Sequence, residues 1–393
     1  MFFVGIDVAS QKHDITITTD YGEVVKHNFT IQNNSDGFKK LRQEILSHTE
    51  SIDTVRIGIE ETGIYSKNIS EFLALHGFTV HLINPILTSN SRKAQSIRLT
   101  KTDKIDSLAI CRYIEFNYKR LNSYTPTLYT ISSALKSLSR ARLDKQKQLS
   151  RVKTEWTRLL DIYFPEFRRH FDQHAGWVYN LFYHYPTVEK IARMHISTLE
   201  GIIKTKGDRV KHALTIKSLA KETVGTKDPN MYYLFQDILD DINHYQKQIK
   251  CLGIHIEELV EENYSYLLTI PGVGCITSGI IIGEIGDISR FHSPEALVAY
   301  AGLDPIIYES GQFKAKEPSI SKRGSKYLKS AIFTSTKVAI INPKIKDNKF
   351  RQKYNRKISE GKHHNSAICS VTKNMINDIY KLMNTSTEFS YTV

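Results

Sequence analysis

Apolar residues along the first 120 positions recur in short blocks of two kinds. "FFVGIDV" (2–8) is a continuous apolar run, "HDITITT" (13–19) alternates with period two, and "EVVKHNFTI" (23–31) follows a "DYG" turn, so a three-strand meander is predicted. The spacing then changes to three and four. Phe38, Leu41 and Ile45 share one face, which predicts a helix over 36–48 capped by Ser35 or Asp36. "TVRIGIE" (54–60) reads as a fourth strand, "SKNISEFLALHG" as a helix closed by Gly77, and "FTVHLIN" (78–84) as a fifth strand ended by Pro85. A further helix follows, giving the order β-β-β-α-β-α-β-α.

From 129 to 165 the pattern becomes that of one long helix, with Ile131, Leu135, Leu138, Leu149, Val152, Trp156, Leu159 and Tyr163 on a seam and Lys and Arg on the other faces. Arg142 and Lys145 interrupt that seam, and a coiled-coil spacer or dimerisation coil is expected. Residues 166–265 read as helical and polar. At 266 the texture changes again, and "YLLTIPGVGCITSGIIIGEIGDISRF" sets Gly272 and Gly274 between two apolar helical segments. Such a helix-hairpin-helix-like turn can let backbone N–H groups approach a phosphate, and it also serves as a plain connector. The expected domains are 1–122, 123–265 and 266–393. Three antiparallel strands followed by alternating helices and strands is the order of the ribonuclease H-like fold, although the actin-like sugar kinase fold opens the same way.

Charge adds a partner to this picture. Lys and Arg outnumber Asp and Glu by 54 to 41, a net +13, and they crowd into 136–158 and 344–363. Phosphate backbone is the natural counterpart of such a surface. Cys111, Cys251, Cys275 and Cys369 lie far apart, so neither a disulfide framework nor a zinc site is expected. No apolar run approaches a membrane span and none resembles a signal peptide, so a soluble, unexported protein without a membrane partner is expected.

Against that basic background, "TKTDKIDSLAI" (100–110) sets Asp103 and Asp106 three residues apart, on one face of a helix, between Lys101 and Lys104. Alone, the pair reads as a helix cap with first-turn acids. Asp7 and Glu60 alter that balance, because each ends an apolar strand where a buried carboxylate needs a partner or a metal. In the ribonuclease H-like order strands one and four are parallel neighbours, which brings Asp7 beside Glu60, and the last helix can carry Asp103 and Asp106 over them. Four oxygen donors without Cys or His suit a hard cation, Mg²⁺ or Mn²⁺ in its place, and two such ions can clamp the attacking and leaving oxygens of a phosphodiester. Lys101 and Lys104 would then meet substrate phosphates. Further on, "YAGLDPIIYESGQFKAKEPSISKRGSKYLKSAIF" (300–333) sets Ser310 beside Gly311, with Lys322 and Arg323 available to neutralise a phosphate and no histidine in the loop to act as base.

At this point the chain resembles a known family. "GIDVASQKHDI", "IGIEETGIYS", "INPILTSNSRKAQSIRLTKTDKIDSLAI", "LTIPGVGCITSGIIIGEIGDISRFHSPEALVAYAGLDP" and "ESGQFKAKEPSISKRGSKYLKSAI" are similar, in order, to the blocks of the insertion-sequence transposases numbered 110 and 1111. The resemblance implies a RuvC-like domain whose Asp-Glu-Asp-Asp tetrad is Asp7, Glu60, Asp103 and Asp106, and a C-terminal transposase domain whose nucleophilic serine maps to Ser310. It further implies site-specific recombination of donor and target DNA with an element-encoded bridge RNA, in the cytoplasm and nucleoid of a prokaryote. A site composed from two subunits is also implied, hence a dimer or tetramer. The chain differs from the family pattern at Glu309, Ser319 and Lys329. Three rival readings stand beside this one: a RuvC-like junction endonuclease with water as nucleophile, an actin-like ATPase, and a nucleic-acid-binding protein without catalysis.

Overall fold

The computed structural model describes residues 1–60, 65–83, 85, 87–88, 103–121, 123–124, 126–228, 232–304, 309–310, 313–314, 324–345 and 348–390. The chain divides into two compact units, one of Met1–Ala134, Thr269–Gly272 and Ile281–Val393, the other of Leu135–Leu268 and Val273–Ile280.

In the first unit, β1 (Phe2–Val8), β2 (Lys12–Thr19) and β3 (Val24–Gln32) form the meander; α1 (Ser35–His48), β4 (Val55–Glu60), α2 (Tyr65–Leu75), β5 (Thr79–Ile83) and α3 (Asp103–Asn117) follow. The sheet order is β3-β2-β1-β4-β5, with β1, β2 and β3 antiparallel and β1, β4 and β5 parallel. This is the mixed sheet order of a ribonuclease H-like domain. Because side chains alternate across a strand, β1 splits cleanly. Val4, Ile6 and Val8 join Ile57, Ile59, Phe38, Leu41, Ile69 and Leu73 in one core under α1 and α2. Phe3 faces the other way, into a smaller core with Ile83, Ile110 and Ile114 of α3. Each of the fully buried Ile6, Ile57 and Ile59 contributes roughly 1.5–3 kcal/mol.

Helix α1 is capped by Asn34, ahead of both expected caps, Ser35 and Asp36. Asn34 is extended and its side chain accepts the Gly37 N–H at 2.8 Å, which leaves Asp36 in the first turn against the positive helix end.

Gly5 of β1 and Gly58 of β4, side by side in the parallel register, let α3 press onto the sheet. A Cβ on Gly5 would collide with the Ser107 carbonyl and lie 2.7 Å from the Cys111 nitrogen; one on Gly58 would collide with the Ile114 side chain. Contacts along α3 run from Ser107 over Gly5, through the Cys111 thiol donating to the Thr16 carbonyl at 3.0 Å, to Tyr118 beyond the helix, whose hydroxyl reaches Met1. The helix therefore runs opposite to β1, and its first turn lies toward the end of the strand that carries Asp7.

The second unit holds most of α4 (Pro126–Tyr163), together with α5 (Gly176–His184), α6 (Val188–Arg193), α7 (Ile196–Ile202), α8 (Arg209–Glu222) and α9 (Tyr232–Tyr264). The seam predicted on α4 is real, and it is taken up inside the chain by α9 running antiparallel to it. Arg142 packs beside Gly253, the Lys145 ammonium lies over the Tyr245 ring, Trp156 meets Phe235 edge to face, and the Tyr163 hydroxyl donates to the Asp228 carbonyl. The two cations that interrupt the seam thus face a residue without a side chain and an aromatic ring. Residues 166–265 are also less polar than they read. Trp156, Phe164, Phe167, Trp177, Phe182 and Phe235 form an aromatic core, with the Trp156 indole N–H donating to the Gln173 carbonyl at 3.0 Å.

The C-terminal segment contains α10 (Cys275–Ile285), α11 (Pro294–Tyr300), the two-stranded pair β6 (Glu309–Ser310) and β7 (Phe313–Lys314), α12 (Lys326–Ile341), α13 (Lys349–Ser359) and α14 (His364–Thr385). Ser293, Ser325 and Asn348 cap α11, α12 and α13 with their side chains. Among the described residues no helix is long and apolar enough to cross a membrane.

Candidate active site

The register of the sheet decides which carboxylates meet. β1 and β4 pair Ile6 with Ile59, so one step further Asp7 stands beside Glu60, both half-buried and on the face covered by α3. Neighbouring strands lie about 4.8 Å apart, close enough for two such side chains to share one ligand.

Overhead, Asp106 lies in the first turn of α3 and is only 9% exposed. The rotation of α3 about its axis is fixed next to it, where the Ser107 and Thr16 hydroxyls hydrogen-bond at 2.9 Å in the interior. Asp103 begins the same helix, three residues earlier, and its side chain lies outside the described residues. Carboxylates at a helix N-terminus are favoured by its partial positive charge.

A further carboxylate stands in this row. β1 and β2 pair Asp7 with Asp14, which puts Asp14 on the same face as Asp7 and Thr16. Its two oxygens accept the Thr30 hydroxyl at 2.6 Å and an ion pair from Lys12 at 3.6 Å. Period-two alternation in "QKHDIT" already puts Lys12, Asp14 and Thr16 on one face; only the antiparallel register shows that it is the face of Asp7.

Among the described residues no three His, Cys, Asp or Glu side chains meet closely enough to hold a metal ion. The side chains that do approach are all hard oxygen donors, the type that Mg²⁺ and Mn²⁺ take. Deeper under α3, burial pushes the Cys111 thiol up to about 12, so it is an inert packing group rather than a nucleophile.

Also expected to act here are Lys101, Lys104, Gly272, Gly274, Ser310, Lys322 and Arg323. Lys101, Lys322 and Arg323 lie outside the described residues, as does the side chain of Lys104. Ser310 ends β6, paired with Phe313, while Glu309 pairs with Lys314. Gly272 has φ +84°, and a Cβ there would collide with the Ser335 carbonyl of α12 and lie 2.6 Å from the Ala339 nitrogen; its role in the structure is close helix packing. The Gly274 N–H donates to the Thr277 hydroxyl at 3.0 Å, so that donor is engaged within the chain. At the far end of the serine-bearing segment the Ser325 hydroxyl donates to buried Glu284 at 2.7 Å.

Among known proteins the chain is similar to transposases and to a gene-inverting protein. A DEDD transposase model of the IS110 type matches residues 4–165, and the model described as transposase IS116/IS110/IS902 family matches residues 264–354. The pilin gene-inverting protein of Moraxella lacunata is 27% identical, over 84% of this chain and 80% of its own length; that of Moraxella bovis is 25% identical over the same shares. The transposase for insertion sequence element IS1111A of Coxiella burnetii is 30% identical over 33% of this chain and 36% of its own. Thermus thermophilus RuvC with a Holliday junction substrate aligns over 32% of this chain and 99% of its own, at 12% identity and a TM-score of 0.24, too low to carry weight. With one family model over the carboxylate domain and a second over the serine-bearing segment, in that order, the chain belongs to the IS110/IS116/IS902 family of transposases.

Proposed function

We propose that this transposase cuts and rejoins donor and target DNA strands of an insertion sequence, with sites selected by an element-encoded structured RNA. Asp7, Glu60, Asp103 and Asp106 would hold divalent cations, Mg²⁺ or Mn²⁺. Bound there, the cations would supply charge neutralisation at the scissile phosphate and at the attacking and leaving oxygens. Ser310 is the nucleophile: its Oγ loses its proton and bonds to phosphorus, the bond to one deoxyribose oxygen breaks and that oxygen leaves as a hydroxyl by taking up a proton, and the strand is held as a phosphoserine until a free hydroxyl of the other strand reverses the step. Lys101, Lys104, Lys322 and Arg323 contact phosphates. A second copy of the chain contributes the serine to the carboxylates, so the active form is a dimer or tetramer in the prokaryotic cytoplasm.

The observation that carries this reading is the register of Asp7 with Glu60 at the ends of adjacent parallel strands, beneath the helix turn that bears Asp106.

Full-length protein co-expressed with the DNA flanking its gene, then given labelled donor DNA and Mg²⁺, provides the test. The wild type yields a covalent protein–DNA adduct; Asp106→Asn yields neither cleavage nor adduct; Ser310→Ala loses the adduct. Cleavage that continues in Ser310→Ala without an adduct makes water the nucleophile and the protein a junction endonuclease. An adduct that survives Ser310→Ala but not Ser321→Ala moves the nucleophile along the loop. A discrete RNA that copurifies, and whose digestion stops cleavage, supports guidance.

A further inference from the structure

The proposed tetrad leaves one pair of charged residues on the same sheet face unused. β2 carries Lys12, Asp14 and Thr16 on alternate positions, and Thr16 touches Ser107 of α3, so all three share the face of Asp7. Asp14 stands directly opposite Asp7. Like charges directly opposite on an antiparallel pair are destabilising, so an acid there calls for a compensating cation. Asp14 has one in Lys12, and its other oxygen is anchored by the Thr30 hydroxyl at 2.6 Å.

The geometry of that pair is asymmetric. The Asp14 side chain is 15% exposed and fixed from two sides, whereas that of Lys12 is 51% exposed. Lys12 is the first residue of β2, next to the chain reversal after β1, where its carbonyl accepts the Ala9 N–H at 3.2 Å. A half-buried acid thus tethers an exposed ammonium at the rim of the strand ends that carry Asp7 and Glu60. An ammonium in this position has the charge and the three donors to take a non-bridging phosphate oxygen.

We infer that Lys12, held by Asp14, binds the phosphodiester backbone of the DNA strand entering the carboxylate site, with Lys12 as the substrate contact and Asp14 as its positioning residue. This inference rests on the proposed reading of Asp7 and Glu60 as the cleavage site. The pair differs from the tetrad in what it does: it grips the strand beside the reacting phosphate and leaves the chemistry to the other carboxylates.

The experiment uses the full-length protein with its RNA and labelled donor DNA. Single-turnover cleavage is followed against protein concentration at several salt concentrations, and thermal melts are recorded for each variant. Lys12→Met should raise the half-saturating concentration about tenfold, the effect of one charge-assisted contact, while leaving the maximal rate within about threefold. The slope of log affinity against log salt should fall by about 0.9, one phosphate contact. Lys12→Arg should restore most of the affinity, and Asp14→Asn should weaken it in the same direction by less. Wild-type affinity and salt slope in Lys12→Met overturn the inference; so does a variant that loses only maximal rate. If the Lys12→Met melt drops, Lys12→Gln is read instead by the same criteria. Asp7→Asn separates the two claims: a variant that still cleaves overturns the site itself, whereas a dead Asp7→Asn beside an unaffected Lys12→Met overturns only the role of Lys12.

Discussion

Replacing Gly5 by alanine tests whether the closeness of α3 to the sheet matters for cutting DNA. The added methyl would collide with the Ser107 carbonyl and sit 2.7 Å from the Cys111 nitrogen, both backbone atoms of the helix, so no side-chain rotation relieves it. Ordinary contact begins near 3.4 Å. The Ser107 carbonyl is the tighter of the two contacts, so the helix must lift by about 1 Å or more, through the turn adjoining Asp106 and against the Ser107–Thr16 hydrogen bond. Overpacking of this kind costs about 1–3 kcal/mol, and misplacing a reacting group by about 1 Å costs on the order of 10²-fold in rate. Gly5→Ala should lower the melting temperature by several degrees and single-turnover cleavage by about 10- to 100-fold, measured well below the melt. Gly58→Ala makes the contrast, since its methyl meets side-chain atoms of Ile114 and Ile110 rather than helix backbone. It should cost stability with a smaller loss of rate, and Ile114→Val should recover part of that stability. A Gly5→Ala protein that melts and cleaves like the wild type would refute the claim that helix-to-sheet spacing sets the carboxylate geometry.

Other outcomes follow from separate parts of the molecule. Burial holds the His13 imidazole below its ordinary 6.5, outweighing its hydrogen bond to Asn33 and the charge of Asp14. Its contribution to stability is complete above pH 6.5 and is lost as pH falls through that value toward the lowered one, so His13→Leu should flatten the acid side of the stability profile in urea titrations. Native-state alkylation followed by mass spectrometry should label exposed Cys251 and spare Cys111 until the protein is unfolded. Gly253 lies inside α9, and a Cβ there would meet the Arg142 Nε at an ordinary 3.6 Å. Gly253→Ala should therefore stabilise by roughly 0.5–1 kcal/mol, an upward shift of the melt by a few degrees. Trp156→Ala, which empties the centre of the aromatic core, should cost about 3–5 kcal/mol.

How much of this was open to a reader of the sequence depends on whether one segment or two carry the signal. The strands were legible because each imposes its own alternation, and Asp7 and Glu60 stood out as acids closing apolar runs. The cap of α1 is not legible to the residue because Asn34, Ser35 and Asp36 are all competent caps, and the choice falls to Asn34 through the extended backbone leaving β3. Pairings between segments were harder to see. The seam of α4 was visible, but a seam does not name its partner, and Arg142 and Lys145 looked like breaks until Gly253 and Tyr245 of α9 appeared opposite them. Gly272 raised the same difficulty, since phosphate approach and helix packing both require a missing Cβ, and only Ser335 and Ala339 in contact identify packing. The carboxylates show both sides of this. Alternation places Lys12 and Asp14 together, a property of one strand, yet their link to Asp7 is a property of two, fixed by the antiparallel register that also fixes Thr16 under Ser107. A site assembled at strand ends is therefore half legible: its acids show as local exceptions to an apolar pattern, while the polar residues that hold and surround them follow the pattern and pass as ordinary surface.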